Sequence, residues 1–129
     1  MSDSRPKVAV IGASLDRSKY GNKAVRAFVD QGWEVFPVHP KLAEIEGLRA
    51  FPDLASIPES RLDRVSLYVP PEIGVKILEQ IAQKEVGEVW LNPGAESPAL
   101  LERAEALGLD VVQACSILAI GEHPGDYGV

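Results

Sequence analysis

Short, unbroken apolar runs that stop at glycine or proline alternate along this chain with longer stretches whose apolar residues recur every three or four positions. The first run, Lys7-Val8-Ala9-Val10-Ile11, ends at Gly12 and lacks polar alternation, the pattern of a strand covered on both faces. A polar loop over 13–18 follows. A helix is predicted over about 20–31, with Ala24, Val25, Phe28 and Val29 as its inward stripe and Gly32 as its stop. Residues 34–38 read as a second strand, with Pro37, which cannot donate to a ladder, at its end. The pattern then weakens. Leu48-Arg49-Ala50-Phe51 reads as a short third strand, and 53–57 as one or two helical turns capped by Asp53.

Beyond residue 64 the alternation returns. A strand over 65–69 is stopped by Pro70-Pro71, and a helix over about 72–84 carries Ile73, Ile77, Leu78 and Ile81 on one face. A strand over 88–91 ends at Asn92-Pro93-Gly94. Ser97 caps a helix to about Leu107, with Leu100, Leu101, Ala104 and Leu107 inward and Gly108 at its end. A strand over 110–112 and a short helix over 116–120 finish the pattern. Strands alternating with helices imply βαβ units and right-handed crossovers. The expected fold class is α/β, a single Rossmann-like doubly wound parallel sheet of about five to six strands.

The chain has 129 residues, which suits one domain over 1–129. No apolar run approaches the ~18 residues that span a bilayer, and the first six residues lack the apolar stretch of a signal peptide. With one cysteine, an intrachain disulfide and a thiol-rich metal site are both ruled out. A cytoplasmic protein is expected. The net charge of -6 argues against general nucleic-acid binding. Residues 1–41 nevertheless carry seven Lys/Arg against four Asp/Glu, so the basic excess sits where a phosphate loop would sit.

In an open parallel sheet, ligands bind beyond the C-terminal strand ends where the strand order reverses. The first strand end is the most informative. Gly12 permits a tight turn and close approach of a ligand, Ala13 and Ser14 follow with a hydroxyl, and Lys19 adds a cation. The helix start near Tyr20-Gly21-Asn22 aims free N–H groups and a positive dipole end at the crevice. Gly12 and Gly21 are nine positions apart, so this is not G-x-G-x-x-G, and an ordinary βα turn would carry the same glycine. At the second strand end, NAD-binding domains usually place a carboxylate; this chain has His39-Pro40-Lys41. Lys41 favours a ligand with a ribose phosphate, as NADP and coenzyme A have, although a solvated surface lysine fits equally. Val69, Pro70 and Pro71 form a stiff turn against which an adenine could pack. Asn92-Pro93-Gly94 lets a ligand approach the backbone. No Ser-His-Asp or Cys-His constellation, carboxylate pair at a strand end, or spaced metal-ligand cluster can be read, so no catalytic or metal residue is assigned. Cys115 opens the last helix, where a thiol is either activated by the helix start or buried as a core residue.

At these strand ends the chain resembles the CoA-binding domain of the succinyl-CoA synthetase α subunit, and still more the small stand-alone bacterial CoA-binding proteins related to it. The resemblance runs over about 5–121. It is carried by Val10-Ile11-Gly12-Ala13-Ser14, Tyr20-Gly21-Asn22, Val35-Phe36-Pro37-Val38-His39-Pro40-Lys41, Val69-Pro70-Pro71, Val89-Trp90-Leu91-Asn92-Pro93-Gly94-Ala95 and Cys115. It implies a phosphate loop of Gly12, Ala13, Ser14, Lys19 and Gly21-Asn22, with Lys41 near the nucleotide, Val69 and Pro70 against it, and Asn92-Pro93-Gly94 closing the pocket. His39 stands where the family usually has Asn. The synthetase also needs a second domain with a phosphorylated histidine and a nucleotide-binding partner, neither of which is read here. The implied function is binding of coenzyme A or an acyl-CoA without chemistry of its own, with a protein partner unidentified. The alternatives are an NAD(P)-binding or redox-sensing domain, and the CoA-binding subunit of a ligase or acyltransferase completed by another chain.

Overall fold

The structure is a computed structural model and describes residues 5–129. Its main sheet has five strands: β1 (Lys7–Ile11), β2 (Glu34–Val38), β5 (Arg61–Leu67), β6 (Glu85–Leu91) and β7 (Val111–Gln113). Their order is β2-β1-β5-β6-β7, and every pairing is parallel. The chain steps outward from β1 to β2 and then crosses back to β5, so the order reverses between β1 and β5. That gap is the topological switch point of a Rossmann-like sheet.

Alternation along β1 explains the two layers. Val8 and Val10 point into a core with α1 (Tyr20–Asp30) and α4 (Ser116–Ala119), where they meet Ala24, Val25, Phe28 and Ile117. Ala9 and Ile11 point to the other face, into a core with α2 (Pro71–Ala82) and α3 (Pro98–Ala106), where Leu78, Ile81, Leu100 and Ala104 lie. A strand buried on both sides has no polar face to display, which is why the sequence of β1 shows none. Ser97 caps α3 as expected, its hydroxyl accepting from the Leu100 N–H at 3.1 Å. Val29 was expected to face inward but is 46% exposed, on the edge of the α1 stripe.

The middle of the chain differs from its reading. Leu48-Arg49-Ala50-Phe51 is not a strand of the main sheet. Instead β4 (Leu48–Arg49) pairs antiparallel with β3 (Glu44–Ile45). The turn between them is Glu46-Gly47, both at positive φ (51° and 77°), which suits a two-residue hairpin whose twist matches its strands. Only Phe51 reaches the main sheet, through a single bridge to Val38. Residues 53–57 form a turn rather than a helix. The Asp53 carboxylate accepts from the Ser56 N–H at 2.9 Å as a cap would, but Pro52 and Pro58 bracket the segment and prevent a longer ladder.

The fourth apolar run also starts earlier than its pattern suggests. β5 begins at Arg61 and leaves the ladder after Leu67, and β6 begins at Glu85 rather than at residue 88. Charged residues mask these strand starts. Arg61 and Asp63 are exposed, while the Arg64 guanidinium is stacked between Trp33 (5.0 Å to the ring centre) and Trp90 (4.2 Å) and pairs with Glu88 at 3.3 Å. Among the described residues, no helix is long and apolar enough to cross a membrane.

Candidate functional site

Three adjoining cavities run along the C-terminal edge of the sheet. The central one, of about 350 Å³, is lined by Gly12, Lys19, Tyr20, Gly21, Tyr68, Val69, Pro70, Pro93, Gly94 and Ala95. Toward β2 it shares Gly12 and Val69 with a cavity of about 260 Å³ whose walls include Val38, Pro40, Ile73 and Ile77. Toward β7 it shares Tyr20, Tyr68 and Pro93 with a cavity of about 310 Å³ that adds Asn92, Cys115, Leu118 and Pro124. The sheet edge therefore carries one long crevice centred on the switch point.

Glycine geometry builds the floor of this crevice. Gly12 turns the chain at φ +88°, and a Cβ there would lie 2.6 Å from the Tyr68 carbonyl oxygen. A Cβ on Gly21 would lie 2.1 Å from the Gly12 carbonyl oxygen. The start of α1 thus rests directly on the end of β1, and Lys19, Tyr20 and Gly21 of that helix start line the cavity. In the first turn of α1 the N–H groups of Lys19 and Asn22 are taken by the Asp16 and Lys19 carbonyls at 3.1 Å each, so those of Tyr20 and Gly21 are the ones left to face an anion.

The connecting loop is tied by its own polar groups. Ser14 Oγ accepts from the Asp16 N–H at 3.0 Å, and Asp16 Oδ1 accepts from the Ser18 N–H at 3.0 Å and the Ser18 hydroxyl at 2.6 Å. The Ser18 hydroxyl and then its N–H hold the Asp16 carboxyl below the usual carboxylate range. Lys19 is the N-cap of α1 but offers no side-chain cap, and its exposed ammonium makes no hydrogen bond among the described residues.

Several residues singled out from the sequence lie behind the crevice rather than on its wall. Ala13 is 1% exposed and packs into the α1 core. Asn22 is fully buried, donating to the Ser14 carbonyl at 2.8 Å. Asn92 touches the third cavity, yet its amide is committed: Nδ2 donates to Ser66 Oγ (2.8 Å) and to the Leu67 carbonyl (2.9 Å), and Oδ1 accepts from the Ser116 N–H (2.8 Å). With the Ser66–Ser116 hydroxyl pair at 2.8 Å, it welds the ends of β5 and β6 to α4. His39 Nδ1 accepts from the N–H groups of Lys41 (3.0 Å) and Leu42 (3.2 Å), a side-chain cap on the turn after β2. Lys41 is exposed beyond Pro40, and Pro71 is the first residue of α2.

Tyr68 is the main wall residue that the sequence reading passed over. It joins the central and third cavities, and its hydroxyl is buried without a hydrogen-bond partner beside Ser66, Ser116 and Cys115. Burial pushes its phenol well above the ordinary tyrosine range. Its place directly after the β5 ladder was the available signal. Leu118 and Pro124 gave none, because only the folded tail brings them to the third cavity. Cys115 is half-buried in that wall. Among the described residues, no cluster of three His, Cys, Asp or Glu side chains could hold a metal ion.

Comparison with known proteins gives the chain's family. The model of the CoA binding domain matches residues 6–122. An ADP-forming acetate–CoA ligase from Archaeoglobus fulgidus is 33% identical over 118 residues, covering 83% of this chain and 17% of the ligase. The α subunit of a second ADP-forming acetate–CoA ligase, from Pyrococcus furiosus, is 28% identical over 81% of this chain and 25% of its own length. The chain thus spans a quarter or less of these relatives. Among solved structures, a conserved hypothetical protein from Pyrococcus furiosus superposes with a TM-score of 0.81 at 30% identity, over 88% of this chain and 98% of that one. A combined fold, strand-end crevice and family match over nearly the whole chain leave one assignment: this chain belongs to the CoA binding domain family, related to the CoA-binding region of ADP-forming acetate–CoA ligases.

Proposed function

We propose that this chain binds coenzyme A or an acyl-CoA across the C-terminal edge of its sheet, and that it performs no catalysis alone. The backbone contact between Gly12 and Gly21 carries the reading, because it sets the α1 N-terminus beside the central cavity, with the exposed Lys19 on its wall. The diphosphate sits there. The adenosine lies in the mostly apolar cavity of Pro40, Val69 and Ile73, whose wall also carries Asp53 and Gln80, with Lys41 beyond Pro40 toward the ribose phosphate. The pantetheine arm runs past Tyr68 and Pro93 into the cavity that holds Cys115. Along the crevice, apolar, cationic and apolar sections follow the order of adenine, diphosphate and pantetheine in CoA. The Tyr20, Pro93 and Leu118 walls also leave the chain able to hold a thioester rather than a free thiol.

Parallel calorimetric titrations with CoA, dephospho-CoA, NADP and NAD test the binding. CoA is expected to bind more tightly than dephospho-CoA, with that difference shrinking in Lys41→Ala; a preference for NAD overturns the reading. Incubation of the pure chain with ATP, CoA and a panel of carboxylic acids is expected to give no acyl-CoA, and steady product overturns the non-catalytic part.

The ligases in which similar regions form 17% and 25% of a longer chain favour a second reading: this domain supplies CoA to chemistry carried by another chain. A co-purifying chain that restores acyl-CoA formation on mixing supports it.

A further inference from the structure

The loop between β1 and α1 is held from behind by a polar network centred on the buried Asn22, half-buried at Arg26 and open to solvent at Arg17 and Glu46, that contacts no part of the proposed ligand. Asn22 donates to the Ser14 carbonyl (2.8 Å) and to Glu46 Oε2 (3.0 Å), and accepts from Arg26 Nε (2.8 Å). The other two nitrogens of Arg26 donate to the carbonyls of Arg17 (2.8 Å) and Gly128 (2.8 Å). Glu46 also pairs with Arg17 Nε at 3.3 Å. Tyr127 backs the cluster: its ring lies 5.5 Å from the Arg26 guanidinium, and its hydroxyl donates to Asp30 at 2.7 Å.

Two features separate this network from ordinary packing. First, it takes up two carbonyl oxygens of the loop, those of Ser14 and Arg17. A carbonyl left free beside an anion would repel it; here both are engaged on donors that the loop itself does not supply. Second, Glu46 is the one non-glycine at positive φ (51°) among the described residues. Gly or Asn adopts that conformation readily, whereas a glutamate is strained in it. The hairpin turn does not need a carboxylate, but Asn22 and Arg17 both use it. Strain held where a side chain orders a neighbouring loop is the pattern of a functional constraint.

We propose that Asn22, Arg26 and Glu46 are positioning residues that set the shape of loop 13–19 for a phosphate-bearing ligand, with residues 127–128 strapping the network from behind. The proposal rests on the reading of this loop as the phosphate site. Its reach is larger than the loop: it couples the β3–β4 hairpin and the tail after α4 to affinity, although neither Glu46 nor Gly128 lines the crevice.

Two variants of the full chain test it. Glu46→Asn keeps a residue suited to the turn and removes the reach of the carboxylate. Arg26→Lys keeps the charge and loses the fork that serves three acceptors. Both are expected to weaken CoA binding about five- to tenfold, the scale of one or two lost hydrogen bonds. Both are also expected to speed amide hydrogen exchange across 13–19 in the ligand-free protein. Glu46→Asn should do so with a melting temperature at or above that of the parent. Parent-like exchange at 13–19 in both variants overturns the proposal, as does parent-like CoA affinity in a variant that has only lost stability. If the parent itself fails to bind CoA, the ligand reading falls, and the exchange rates still decide the positioning role.

Discussion

The carbonyl oxygen of Gly12 occupies the space that a side chain on Gly21 would need, 2.1 Å from where its Cβ would lie. Both sides of this contact are backbone, so neither can swing away. Gly21→Ala is expected to cost about 2–3 kcal/mol, the upper part of the range for overpacking. Gly94 is a useful control. It sits at φ +94° with open space around it, so Gly94→Ala carries backbone strain alone, about 1–2 kcal/mol. Urea denaturation of the two variants measures the difference. Gly21→Ala should also lose CoA binding in the protein that remains folded.

Lys19 offers the opposite kind of test. Its ammonium makes no hydrogen bond among the described residues and only an exposed charge attraction to Asp16, so Lys19→Ala should shift the unfolding midpoint little. CoA binding is expected to weaken by roughly 1–2 kcal/mol, as for a lost charge-assisted hydrogen bond. The parent's affinity should also fall with added salt, and less steeply in the variant. Titration at low and high ionic strength reads both effects, and equal affinities would remove Lys19 from the site.

Asn92 should behave as a structural residue despite its place in the wall. Asn92→Asp puts an oxygen opposite the Leu67 carbonyl, where Nδ2 now donates at 2.9 Å. Two acceptors facing each other in a buried site are expected to cost about 2–4 kcal/mol. Asn92→Ala, which leaves Ser66 and the Ser116 N–H short of a partner, should cost about 2 kcal/mol. Thermal and urea unfolding check both values.

His39 supplies one acceptor nitrogen to two backbone N–H groups, a task that an asparagine oxygen performs at nearly the same distance from the chain. His39→Asn is therefore expected to change stability by less than about 0.5 kcal/mol, and His39→Ala to cost about 1 kcal/mol, the usual loss for a cap of this kind. CoA affinity should follow the same order, because the turn carries Pro40 into the adenosine cavity. Equal behaviour of the two variants would show that the cap does not matter.

Sequence pattern served well where one residue's environment followed from its own element. β1 could be read because burial on two faces leaves an unbroken apolar run, and α3 because Ser97 and Gly108 mark its ends. The strand ends located the crevice, since in a parallel sheet they all lie on one edge. What could not be read depended on contacts between distant segments. The starts of β5 and β6 were hidden because Arg64 is buried by stacking on Trp33 and Trp90, a partnership invisible in a hydropathy pattern. Leu48 to Phe51 looked like a sheet strand because the local pattern does not reveal that Glu46-Gly47 turns it back on Glu44 and Ile45. Asn22 and Asn92 sit at loop and strand ends, where a ligand contact and an internal brace have the same sequence signature.

The stacking of Arg64 between the two tryptophans has an optical consequence. Trp33 and Trp90 are the chain's whole complement of indoles, and neither lines any of the three cavities at the sheet edge. Both stack on one cation on one face of the sheet, so their emission is expected to report whether that face is assembled and to change little when the crevice fills. A flat fluorescence titration of this protein would therefore say nothing about occupancy. An indole installed at position 20, whose exposed tyrosine borders two of the cavities, would give the crevice a signal of its own.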